Sequence, residues 1–153
     1  MGRNLSFRLL VSLFLLLVTS TTFHASGNQA PKTVLLLHSY HPGLTWTDDI
    51  TSSIKQTFKA SGQAVALHVE YLDSKRYREP EYLNKHIDQL ITFKLNRTAF
   101  DLVIVSDNDA FNFALKHRDD IFVGKPILFC GVNGFDPIQL EDIAGITGVA
   151  ETP

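Results

Sequence analysis

The stretch Thr33–Tyr40, "TVLLLHSY", places four apolar residues in a row, Val34 to Leu37, and then turns abruptly polar at His38. The same design returns in residues 101–109, "DLVIVSDND", and in residues 126–133, "PILFCGVN". A short continuous apolar run bounded by polar residues is the pattern of a strand buried on both faces, as in a parallel sheet. Residues 65–73, "VALHVEYLD", alternate instead, with Val65, Leu67, Val69 and Tyr71 on one face and Ala66, His68 and Glu70 on the other. A strand with only one face fully covered reads this way, so it is expected at the edge of the sheet.

Segments of helical period separate these strands. Trp46, Ile50, Ile54 and Phe58 recur every fourth residue, and Leu83, Ile87, Leu90 and Ile91 form a second apolar stripe. Thr45, with Asp48 three residues on, is placed to cap the first helix, and Pro80 stands where a first helical turn accepts proline. A third helix is expected to start around Asp107 to Asp109 and run through Phe111, Ala114 and Leu115 toward Arg118. Residues 134–145, "GFDPIQLEDIAG", read as a loop with a short helix, and "GITGV" as the start of a further strand. Strand alternating with helix predicts an α/β fold, a doubly wound parallel sheet with right-handed crossovers and strand order 2-1-3-4.

The first 25 residues stand apart. "MGRNLSFR" carries two arginines, and "LLVSLFLLLV" behind it is too short to span a bilayer comfortably. This is a signal peptide pattern, with Ala25 the best residue before a cleavage point and Phe23 a poor small-residue partner; an uncleaved N-terminal anchor is the alternative. Either fate makes the rest exported, periplasmic or extracytoplasmic. Without Arg3 and Arg8, twelve basic residues face sixteen acidic ones, so nothing favours nucleic acid as a partner. Cys130 is the sole cysteine, which excludes an internal disulfide, a cysteine-based zinc site and lipid attachment near the signal. It ends a buried strand and reads as a small apolar side chain. "NRT" at Asn96 is formally a glycosylation sequon, read as a chance occurrence, and "KHRDD", residues 116–120, as a solvated surface.

Ligands of open parallel sheets bind outside the carboxyl ends of the strands. Three polar loops follow the first, third and fourth strands: "HSYHPGLTW", "SDNDAF" and "CGVNGF". Ser39, Tyr40, Trp46, Ser106, Asp107, Asn108, Asp109 and Asn133 are therefore the candidate ligand-binding residues. They offer hydroxyls, amides, carboxylates and aromatic faces beside free helix N-terminal N–H groups, a chemistry that suits a small polar solute. Plain helix capping accounts equally well for "SDND", and Trp46 sits at the apolar phase of its helix, where core packing competes with stacking on a ligand. His38 and His41 have a spacing that could hold a metal but lack a third ligand, so no metal and no cofactor is expected. There is no G-x-S-x-G, no Gly-rich phosphate loop with lysine and no paired His-Glu zinc signature, so no catalytic residues are assigned and the segment is read as non-enzymatic.

Taken together, "VLLLHSYHPGLTWTDDI", "VEYLDSKR", "DLVIVSDNDAFNFALKHRDDIF", "PILFCGVNGF" and "ITGVAE" resemble the periplasmic sensor domain related to ABC-transporter substrate-binding proteins. Such domains stand at the N-terminus of bacterial histidine kinases and diguanylate cyclases. The resemblance implies a type I periplasmic-binding-protein fold, two doubly wound lobes closing on solute, with residues 31–153 matching the N-terminal lobe and the second lobe absent. It further implies a fragment of a sensor kinase or cyclase, or a truncated gene product, whose parent continues into a membrane span and a signalling module. The rival expectations are the substrate-binding component of an ABC transporter and, more remotely, a secreted flavodoxin-like enzyme. The loop "HSYHPG" lacks the Ser, Thr and Gly run that cradles a flavin phosphate.

Overall fold

The computed structural model describes residues 30–151; the expected signal segment, residues 1–25, lies outside them. Five strands, β1 (Lys32–His38), β2 (Val65–Tyr71), β3 (Leu102–Ser106), β4 (Ile127–Asn133) and β5 (Ile146–Glu151), form one sheet in the order β2-β1-β3-β4-β5, every neighbour pair parallel. The chain is thus a doubly wound α/β domain. β2 is outermost, as its alternation predicts, and the "GITGV" segment supplies the opposite edge as β5.

Helices α1 (Thr45–Ser61), α2 (Pro80–Phe93) and α3 (Asp107–Lys116) make the crossovers. The sheet's two faces carry separate cores. On one, Ile54 and Phe58 of α1 pack over Val34, Leu36 and Ile104, joined by Val65, Leu67 and Val69. On the other, α2 and α3 cover Leu35, Leu37, Val103 and Val105, and Phe111, Phe122 and Phe129 extend that core toward β5. β1 and β3 are buried on both faces because each side chain meets a helix whichever way it points, hence their unbroken apolar runs; β4, expected from "PILFCGVN" to be the same, is covered on one face only, with Ile127 and Phe129 buried and Leu128 between them exposed. Among the described residues no helix is long and apolar enough to cross a membrane.

Two local expectations are corrected. Thr45 is the first helical residue of α1, not its cap: Leu44 holds that position and makes no side-chain cap bond. Asp48 still reaches back, its Oδ1 accepting the Gly43 N–H at 3.1 Å, so the carboxylate satisfies a backbone donor one residue before the cap. Trp46 is not core; it is 42 % exposed, while Thr47 and Thr51 are the buried residues of that first stretch. The start of α1 overhangs the carboxyl edge of the sheet, where the surface beneath it is the polar end of β1, and hydroxyls fit that surface better than an indole. Pro80 does occupy the first turn of α2, and the loop after β4 holds a single 3-10 turn, Pro137–Leu140, capped by Asp136 through the Ile138 N–H at 3.0 Å.

Candidate functional site

The carboxyl ends of β1, β3 and β4 bring the three polar loops to one edge of the sheet, and hydrogen bonds between them build that edge. Ser39 is fully buried; its Oγ donates to the Ser106 carbonyl at 2.8 Å and accepts the Ala110 N–H at 2.8 Å. It therefore caps α3 from another strand. Ser106, the local residue at the cap position, makes no such bond because its hydroxyl lies 2.6 Å from Nδ1 of His38. The other ring nitrogen of His38 is 2.8 Å from Thr51 Oγ1, and that hydroxyl donates to the Thr47 carbonyl at 2.9 Å. These directions fix the tautomer: Nε2–H donates to Thr51, and Nδ1 accepts from Ser106. With both nitrogens occupied and the residue fully buried, His38 holds β1, β3 and α1 in register. His41 is turned elsewhere, its Nδ1 meeting the Pro42 carbonyl at 2.9 Å, and among the described residues no group of three His, Cys, Asp or Glu is arranged to hold a metal.

Asn108 ties α3 to the end of β4. Its amide donates to the Asn133 carbonyl at 2.9 Å and accepts the Asn133 N–H at 3.0 Å, leaving the Asn133 side chain exposed with only a long 3.5 Å contact to the Gly131 carbonyl. Three of the candidate residues, Ser39, Ser106 and Asn108, are thus committed to the scaffold. Ser39→Ala removes the α3 cap and leaves the Ser106 carbonyl one donor short; a loss of roughly 1–2 kcal/mol is expected in urea denaturation.

Of the remaining candidates, Tyr40, Trp46 and Asp107 gather into one group. Asp107, the first residue of α3, adopts a left-handed backbone with φ 67, a conformation that Asp tolerates better than most residues and that recurs at functional turns. Its carboxylate is buried and accepts the Trp46 Nε1–H at 2.8 Å. Burial holds the Asp107 carboxyl above its usual range; the Trp46 N–H and the Tyr40 hydroxyl partly offset this, and Glu151 and Asp109 push it further up. Tyr40 is raised in turn, by burial first and then by the Asp107 carboxylate, and the Lys75 ammonium sits 5.0 Å from its ring centroid. The Trp46 indole lies across Gly131, where a Cβ would come within 2.8 Å of Cζ2. Gly131, with φ 67, is also the residue skipped in the β4–β5 register. The bulge and the missing side chain together make the seat for the indole. Cys130, next to this seat, is partly buried, and burial and the Asp107 charge push its thiol pKa up, in keeping with an unreactive side chain.

Asp109 lies apart from this group beside the Ser74 hydroxyl, whose single proton is shared between the Asp109 carboxylate and the Ser39 carbonyl 2.8 Å away. Ser74, Lys75 and Arg78 belong to the loop after β2, a fourth polar loop at this edge beyond the three expected from sequence. The signal was present: "DSKR" is a polar cluster directly after a strand, as in the other three loops. Asp73, with φ 56, shapes that loop by holding the Arg76 guanidinium. Comparison with protein-family models, curated proteins and solved structures finds no match for this chain.

Proposed function

We propose that this chain is one lobe of an exported, non-enzymatic domain that binds a small polar solute at the carboxyl edge of its sheet. It is of the kind that feeds a bacterial histidine kinase or diguanylate cyclase. The observation that carries the reading is the Tyr40–Trp46–Asp107 group: an exposed indole and a phenol set around a buried carboxylate on a strained turn, where a parallel sheet opens its crevice. A buried carboxylate whose charged form burial disfavours, with further carboxylates nearby, favours a solute that brings a hydrogen-bond donor or a positive charge, and aromatic faces beside it suit an ammonium group. Amino-acid-like solutes meet that description. A single lobe supplies half of the contacts that a closing two-lobed cleft would, so its own affinity is expected to be low. The transporter component remains the second reading, because the same edge would serve a transported solute; coding sequence beyond Pro153 separates them, a membrane span with a kinase or cyclase favouring the sensor.

Trp46 is the chain's only tryptophan, so intrinsic fluorescence reports directly on the site. Titration with amino acids and small amines is expected to change the Trp46 emission saturably for at least one class. Asp107→Asn, which keeps a side chain tolerant of positive φ, is expected to weaken that binding by roughly 1–3 kcal/mol. An Asp107→Asn variant that keeps the wild-type circular dichroism and binds as tightly as the parent would remove this site from consideration.

A further inference from the structure

A second recess adjoins the candidate site, sharing Tyr40 and Asp109 with it. Between α2 and α3 runs an open groove of about 640 Å³, of a size that accepts a small organic molecule. Its floor is apolar, formed by Leu72, Leu83, Ile87, Ile91 and Phe113, and its rim carries three cations, Lys75, Arg78 and Lys116. None of the three has a carboxylate within 4.0 Å among the described residues, unlike Lys32, Arg76, Lys85, Lys94 and Arg118, though Lys55, Lys59, Arg97 and Lys125 are likewise without one. The two carboxylates on the lining are Asp88 and Asp109, the latter engaged by the Ser74 hydroxyl. At the end of α3, His117 also lines the groove. Its Nδ1 meets the Asp120 carboxylate at 3.0 Å, and its Nε2 is the one buried side-chain nitrogen or oxygen among the described residues without a partner.

We infer that the α2–α3 groove is a binding site for an organic anion with an apolar body, the class to which medium-chain and aryl carboxylates belong. The apolar part lies along Leu83, Ile87, Ile91 and Phe113, and the carboxylate meets the unpaired cations of the rim. Apolar burial supplies the affinity, and the surplus of positive charge selects an anion over a neutral or cationic analogue. Tyr40 and Asp109 line the groove's end nearest the candidate site, but the apolar floor and the Arg78 and Lys116 cations that carry this assignment lie outside the Trp46–Asp107 pair.

The test uses the purified chain and three probes of equal length, hexanoate, hexanol and hexylammonium, followed by amide chemical-shift mapping. Hexanoate is expected to bind most tightly, with saturable shifts at Asn84, Asp88, Asn112 and Lys116, then hexanol, then hexylammonium. The doubly substituted Arg78→Gln, Lys116→Gln chain, both changes lying on exposed side chains, is expected to lose hexanoate affinity roughly tenfold and to leave hexanol binding unchanged. Equal binding of hexanoate and hexanol to the parent, shifts centred outside the groove, or an unchanged hexanoate affinity in the double variant would each overturn the assignment.

Discussion

Gly148→Ala is expected to cost the fold roughly 3 kcal/mol and to loosen β5 from the sheet. Gly148 pairs with Phe129 across the β4–β5 ladder, and a Cβ at this position would strike the Phe129 carbonyl oxygen and lie 2.6 Å from Cγ of its ring. Neither obstacle can yield. The carbonyl belongs to the strand backbone, and the ring is wedged between Phe111 and Phe135, with centroids 5.0 and 4.9 Å away. The methyl group is accommodated only if the two strands separate, which exposes Ile146 and Ala150 where they pack on the aromatic cluster. A lowered urea midpoint, together with faster amide exchange confined to Ile146–Glu151, is the expected result. An unchanged midpoint would show that β5 is not seated against Phe129 in this way.

The second large effect is in pH. The His38 pKa is lowered from 6.5 to about 4, chiefly by burial, with the Asp48 carboxylate offsetting part of it. The folded state therefore requires the neutral ring. Above pH 6.5 the unfolded chain is neutral as well, and the stability is fully present. As pH falls from 6.5 toward 4 the unfolded chain takes up a proton that the folded one refuses, and stability is lost; below about 4 both states are protonated and the loss levels off. The gap corresponds to about 3 kcal/mol, a sizeable part of a domain's total. His38→Gln is expected to be less stable at neutral pH, since the bonds to Ser106 and Thr51 are disturbed, yet to show a flatter decline between pH 6.5 and 4. The other titrating groups act equally in both chains, so urea denaturation across this range isolates His38. Parallel declines in parent and variant would mean that the ring is not held neutral.

The parallel sheet was legible because burial leaves its mark on composition. "LLL" and "LVIV" are apolar without alternation since helices lie on both sides, and β2 alternates since its second face, with exposed His68, is only partly covered; "ILF" looks the same in sequence although Leu128 is exposed, because an apolar run does not say whether a helix covers its second face. Pro80 and the polar cluster after each strand likewise mark positions whose chemistry is local. The individual duties of the edge residues were not legible. Ser39, Ser106 and Asn108 have the same residue types whether they bind a solute or tie loops together, and only the distances to Ala110, His38 and Asn133 separate the two uses. Trp46 falls in phase with Ile50, Ile54 and Phe58, but a helical period says which residues share a face and not where the surface beneath that face ends.

What the sequence alone determined, then, is the class of fold, the edge position of β2 and the end of the sheet at which polar groups collect, all set by periodicity and residue type within short windows. The cap of α3 by Ser39, the buried Thr51–His38–Ser106 chain, the seat of Trp46 on Gly131 and the groove between α2 and α3 were decided only by the tertiary structure. Each joins residues 13 to 85 positions apart or the faces of two separate helices. Their meeting depends on helix crossings and strand order, and no local pattern of residues carries that information.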